Sequence, residues 1–212
     1  MTNISLLGDD CLRVNIEERE NRHSVADHLR ATDDWSEIVV GKHDITVQYE
    51  PYRTSPNDAL LRLEKQLAQY SPLQKSPGTI FKIPVSLSDN DAPDLLRVAQ
   101  YLEIASTALW DQLASLTLTI DMLGFTPGFA YMTGLPEAWE IERLESPRQS
   151  VPAGSIGIIT GQCGLYALEG PGGWPIIGRA LVPLFNRDAS DSPLLYGAND
   201  RIRFLPKERE ND

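Results

Sequence analysis

Between Asp58 and Ala68 the apolar residues Leu60, Leu61, Leu63, Leu67 and Ala68 recur at helical spacing. Ser55 and Pro56 precede them as a capping side chain and a proline suited to the first helical position, and Asp58 places an acid in the first turn. The pattern therefore predicts a helix starting near residue 56. On its N-terminal side, Ile4–Leu7 and Cys11–Ile16 predict one strand interrupted near Gly8. Glu17–Arg30 carries a thin apolar stripe of Val25, Ala26 and Leu29 and predicts a helix. Glu37–Val40 and Ile45–Tyr49 predict two strands joined by a turn, and Thr79–Val85 predicts another strand. The order βαββαβ predicts a ferredoxin-like α+β unit.

The pattern changes at Ser86–Pro93, which is polar and turn-rich and reads as a linker. Helices are predicted over about Asp94–Glu103 and Thr107–Ala114, then a strand over Leu116–Leu123. From there short apolar runs alternate with Gly and Pro: Ile156–Ile159, Gly164–Ala167, Ile176–Val182 and Arg201–Phe204. Short strands punctuated this way predict a β-barrel. The expected organisation is an N-terminal domain over 1–87, a barrel over 88–206 and a charged tail over 207–212.

Composition narrows the chemistry. The formal net charge of −11 argues against nucleic acid or an anionic membrane as a general partner, because phosphate recognition needs clustered Lys and Arg. No apolar run approaches the length of a membrane span, and the first residues lack the basic and apolar regions of a signal peptide, so the cytoplasm is expected. Cys11 and Cys163 are far apart and show no metal-ligand spacing. The three histidines are His23, His28 and His43, so the barrel half has none. His23 and His28 are five apart, which does not place them on one helical face, and no metal site is expected. The acidic clusters Glu17–Glu20 and Asp89–Asp94 read as solvated surface.

The segment Ser146–Val182 holds 8 of the 15 glycines and only three charged side chains, Arg148, Glu169 and Arg179. Glycine is retained where backbone turns sharply or approaches something closely. Together with Gly124–Met132 the segment reads as a pocket built largely of backbone. Phe125, Phe129 and Tyr131 either wall a ligand site or fill a barrel corner. Arg148, held between Pro147 and Pro152, suits bidentate recognition of carboxylate or phosphate, or ties a loop to carbonyls. Gly170, Gly172 and Gly173 could aim backbone N–H groups at an anion. Glu169 reads as a base, or as a structural partner of Arg148 or Arg179. Cys163 lacks a histidine base in its half of the chain, which weighs against a nucleophile.

The motifs LGFTPGFAYM, PRQSVPAGSIGI, GQCGLYALEGPGGWPIIGR and GANDRIRFLP, in this order, resemble the KipI / allophanate hydrolase subunit 1 family, described as the B subunit of the bacterial ATP-dependent 5-oxoprolinase. The resemblance spans nearly the whole chain, including GDDCLRV and Ile83–Val85. It implies a ferredoxin-like domain followed by a cyclophilin-like β-barrel. It also implies partners: a homologous barrel subunit (the C subunit of that enzyme, or allophanate hydrolase subunit 2) and a lactam-utilisation-type subunit. The implied reaction is ATP-driven opening of 5-oxo-L-proline to L-glutamate, with ATP bound somewhere in the complex. The alternatives it carries are a binding protein that inhibits a sensor histidine kinase and a carboxyltransferase subunit of the urea-carboxylase type. On the enzyme reading, Arg148, Gln162, Tyr166 and Glu169 are the expected catalytic residues. Phe125, Pro127, Phe129, Gly172, Gly173, Trp174 and Arg179 are expected to bind substrate. The chain departs from the family pattern in lacking a histidine near Leu113, in reading SDNDAPDL at Ser88–Leu95, and in reading EGPGGW where relatives have ESPGGW.

Overall fold

Two strand hairpins, each followed by a helix, build the first unit. The computed structural model describes residues 3–16, 21–72, 78–189 and 192–207, and the chain divides into Met1–Ser76 and Pro77–Asp212. Strands β1 (Ile4–Leu7) and β2 (Cys11–Asn15) reverse at Gly8, whose φ of +65° is the left-handed conformation glycine adopts without strain. Helix α1 (Arg22–Arg30) follows, then β3 (Glu37–Val40), β4 (Asp44–Gln48) and helix α2 (Pro56–Gln69). The four strands form an antiparallel sheet in the order β1-β2-β4-β3. Alternate residues Leu12, Val14, Ile45 and Val47 meet Val25, Ala26 and Leu29 of α1 and Ala59 and Leu63 of α2 in one core. The α2 start is as the sequence predicts: Ser55 Oγ accepts from the Asp58 backbone N–H at 3.2 Å, with Pro56 in the first turn. The predicted helix start at Glu17–Glu20 and the tail beyond Lys207 lie outside the described residues.

The second unit is the expected closed β-barrel, and the chain as a whole is α+β. Its elements are β5 (Ile80–Ser86), α3 (Leu95–Tyr101), α4 (Ser106–Ser115), β6 (Leu118–Leu123), β7 (Ala130–Thr133), β8 (Arg148–Val151), β9 (Ser155–Ile159), β10 (Gln162–Leu165), β11 (Gly170–Gly172), β12 (Ile176–Ala180) and β13 (Arg201–Pro206). Seven strands close in the order β10-β7-β6-β13-β5-β12-β9, and β8 pairs with β11 as a separate ribbon. Two differences from the sequence reading follow. The interruption at Gly8 separates two strands rather than breaking one. The strand Ile80–Ser86, expected to complete the first unit, runs parallel to β13 and pairs with β12, so it is a stave of the barrel. Its alternation fixes a strand but not a partner, and the partner lies more than a hundred residues away.

Helices α3 and α4 add Leu95, Val98, Leu109, Trp110 and Leu113 to the barrel core. Trp110 is fully enclosed, and its indole N–H donates to the Ile177 carbonyl at 2.8 Å. A Cβ at Gly178 would lie 2.6 Å from the same indole, so this glycine is what lets α4 approach β12. No helix among the described residues is long and apolar enough to cross a membrane.

Candidate functional site

The pleat of three barrel strands sorts their residues onto two faces. Ala130, Met132, Ile156, Ile158, Cys163 and Leu165 belong to the main core. The intervening residues Tyr131, Gly164 and Gly157 lie side by side across β7, β10 and β9 on the other face. The two glycines leave a bare patch there, and rings cover it. A Cβ at Gly164 would fall 2.7 Å from Phe129 and 2.8 Å from Trp174, and one at Gly157 would fall 3.0 Å from Trp174. Phe129 is the centre of the cluster, edge-on to Tyr131 at 4.7 Å, Tyr166 at 4.8 Å, Phe125 at 5.5 Å and Trp174 at 5.9 Å between ring centroids.

These rings wall a pocket of about 230 Å³, completed by Arg143, Pro147, Pro171, Gly172 and Gly173. Tyr166 is 2% exposed as a residue, and its hydroxyl, which makes no hydrogen bond among the described residues, is the part that stays accessible. Gly172 faces that hydroxyl so closely that a Cβ there would sit 2.3 Å from Oη. Burial pushes the phenols of Tyr131 and Tyr166 above their ordinary value, with the Arg143 charge acting in the opposite sense. Both therefore stay protonated and able to donate. Phe125 guards the rim at 60% exposure with φ at +68°, a strained conformation for an aromatic residue.

A second cleft of about 590 Å³ adjoins the pocket through the shared Arg143, and is lined by Asp94, Arg97, Tyr101, Glu142, Glu145 and Arg148 among others. Here Arg148 is already engaged. Its Nη2 donates to Asp94 Oδ1 at 2.9 Å and its Nη1 lies 2.8 Å from Oδ2. Asp94 also accepts the Ile176 backbone N–H at 2.7 Å, so its buried carboxylate ties the α3 start to β8 and β12.

The structure thus brings together Phe125, Phe129, Tyr166, Gly172, Gly173 and Trp174 in one pocket and places Arg148 in the neighbouring cleft. Pro127, Gln162, Glu169 and Arg179 line neither. Gln162 opens β10 beside the Gly161 turn. Glu169 accepts from Ser150 Oγ at 2.6 Å, so neither arginine is its partner. Arg179 donates to the Ala153 carbonyl at 3.0 Å and reaches Asp91 at 3.5 Å. The expected anion-binding turn at Gly170–Gly173 is instead the strand β11 and its exit, and none of its glycines has the positive φ a backbone nest requires. Cys163 is fully enclosed in the core, and burial pushes its thiol far up, which disarms it as a nucleophile.

The reading of Asp89–Asp94 as solvated surface is corrected at two positions, since Asp94 is buried against Arg148 and the Ile176 N–H and Asp91 is tied to Ser86, Ser88 and Arg179. Arg143 escaped the sequence reading altogether. Asp91 and Asp94 sit in and beside the polar stretch that reads as a linker, and a signal existed for Asp94 in its place just before an apolar helical run. Arg143 lies just outside the glycine-rich segment. Its guanidinium stands 5.9 Å over the Trp174 ring and has no carboxylate partner among the described residues.

The family described as carboxyltransferase domain, subdomain C and D, matches residues 2–196. The chain is 35% identical over 172 residues to the 5-oxoprolinase B subunit of Escherichia coli O157:H7, covering 81% of this chain and 78% of that one. It is 30% identical to the protein of the same name from Bacillus subtilis (strain 168), covering 95% and 91%. Among solved structures, TTHA0988 superposes with a TM-score of 0.78 at 26% identity, covering 94% of this chain and 40% of that chain, so this chain spans about two fifths of its length. The Kluyveromyces lactis urea amidolyase superposes with a TM-score of 0.77 at 18% identity over 97% of this chain and 15% of that one, a likeness of fold.

Proposed function

Because the chain belongs to the carboxyltransferase domain, subdomain C and D, family, we propose that it acts as the B subunit of an ATP-dependent 5-oxoprolinase. In that role it works in the cytoplasm with a homologous barrel subunit, the C subunit, and a lactam-utilisation-type subunit. Together they turn 5-oxo-L-proline, ATP and water into L-glutamate, ADP and phosphate. The observation that carries the reading is the aromatic pocket. At about 230 Å³ it suits one small ring, below the size usual for drug-like ligands, and the Tyr166 hydroxyl in its lining can donate to an acceptor there. A lactam presents such a ring and such an acceptor. Relatives that carry the 5-oxoprolinase B-subunit name match most of this chain at 30–35% identity.

In this reading ATP is bound in the complex. Neither pocket offers the glycine-rich loop and lysine of a phosphate cradle: β11 is a paired strand, and no lysine lines either cavity. What this chain supplies is an aromatic wall for the ring and a hydrogen-bond donor placed by the packing of Tyr166 against Phe129. A preorganised donor of this kind stabilises charge that develops on an amide oxygen as the amide is activated. The test is reconstitution. The chain alone should form no glutamate from 5-oxoproline, and the mixture with both other subunits should do so only with ATP. An inactive mixture of demonstrably folded subunits would sink the proposal.

A further inference from the structure

The pocket has one charged lining residue. Arg143 is that residue, and no carboxylate stands with it in the lining. The segment that carries it is pinned at both ends. Ile141 N–H donates to Thr160 Oγ1 at 2.8 Å while its carbonyl accepts the Thr160 N–H at 3.0 Å, and Leu144 N–H donates to the Gly173 carbonyl at 2.8 Å. Between these anchors Arg143 places its guanidinium carbon 5.9 Å from the Trp174 ring centroid. The planar fork of a guanidinium is itself pre-organised for a planar anion, so little freedom is lost per hydrogen bond formed. A pocket of aromatic faces would otherwise suit a ligand cation, but the positive charge of Arg143 in the lining repels one. Arg148, the arginine that the sequence offers for an anion, is committed to Asp94.

We infer that Arg143 recognises the carboxylate of a small cyclic amide whose ring lies against Phe129, Tyr131 and Trp174, with Tyr166 Oη donating to the ring carbonyl. The inference rests on the 5-oxoprolinase reading for its ligand, and it goes further in naming the groups that select a carboxylated lactam over a neutral one. It makes Arg143 a specificity residue, since an arginine left without its anion binds the uncharged ring no better than any other residue would.

The experiment pairs deletion of the cation with deletion of the anion. 5-Oxoproline and 2-pyrrolidinone, the same ring without the carboxylate, are titrated calorimetrically into the full chain and into the reconstituted complex without ATP. The wild-type protein is expected to bind 5-oxoproline at least tenfold more tightly. Arg143→Ala should weaken 5-oxoproline at least tenfold while leaving 2-pyrrolidinone unchanged, which also shows that the pocket remains folded. Arg143→Lys should fall between, and Tyr166→Phe should weaken both ligands. The inference is overturned if Arg143→Ala binds 5-oxoproline like wild type, or if the wild-type protein binds it in neither preparation. The two proposals fail separately. A complex that makes glutamate with an unchanged KM in Arg143→Ala refutes the role of Arg143 and keeps the enzyme. Arg143-dependent binding in a complex that makes no glutamate keeps the site and refutes the enzyme.

Discussion

Asp94 shows how a single carboxylate can decide what an arginine is for. With its side chain 8% exposed, it holds the guanidinium of Arg148 and the Ile176 N–H together. Removing one member of such a pair leaves the other charge poorly compensated. Arg148→Ala is therefore expected to lower stability by roughly 2–3 kcal/mol, less than a fully buried pair would cost because the Arg148 side chain is 33% exposed. Chemical denaturation checks this, and an unchanged midpoint would return Arg148 to ligand binding. Asp91 offers a pH readout. Burial alone would raise its pKa, but hydrogen bonds from Ser86 and Ser88 and the Arg179 guanidinium hold it below the ordinary carboxylate value. A depressed carboxyl stabilises the fold above its unfolded pKa, near 3.9, and loses that contribution as pH falls through the folded value. Asp91→Asn should thus cost about 1 kcal/mol at neutral pH and almost nothing in strong acid, seen as a flatter melting temperature below about pH 4. Cys163, enclosed and un-ionised, should resist alkylation in the native protein and react after denaturation, as mass spectrometry would show. At this scale the sequence reveals which side chains are unusual but not what they touch. Arg148 stands out between two prolines, whereas Asp94 and Arg143, one hidden in a polar run and one beside the glycine-rich segment, acquire their meaning only through contacts distant in sequence.

Elements explain why the pocket exists at all. Tyr131, Gly164 and Gly157 are register neighbours on three strands, and the missing side chains at the two glycines are the seat for Phe129 and Trp174. Gly164→Ala should force both rings aside and cost about 1–3 kcal/mol, the usual penalty for overfilling a packed site. Near-ultraviolet circular dichroism should report the disturbed rings while the far-ultraviolet spectrum stays native. The helices and most strands were legible because their periodicity and caps are local, as at Ser55 and Pro56. The aromatic wall was legible too, since Phe125, Phe129, Tyr166 and Trp174 recur in the glycine-rich motifs. The β11 strand was not: GPGG reads as a turn until β8 is there to pair with it.

For the whole molecule, the decisive strand is β5. It links β12 to β13, so a barrel without it has a gap between two staves. A fragment starting at Pro77 should fold cooperatively, whereas one starting at Ser88, where the change in sequence character sets the boundary, should not. Thermal unfolding of the two fragments distinguishes them, and a cooperative transition in the shorter one would show that the barrel closes without its parallel seam.

That seam also sets a clock. A ribosome releases residues 80–86 long before residues 201–206, and the interval is on the order of ten seconds at ordinary rates of synthesis. Throughout that time one edge of β5 lacks its neighbour while the sandwich encoded by the first residues already has every strand it needs. The nascent chain therefore acquires its halves in sequence, and the barrel half waits for its last stave. Agents that bind exposed strand edges have their opportunity in that interval, and synonymous codon changes that lengthen it should lower the yield of native protein.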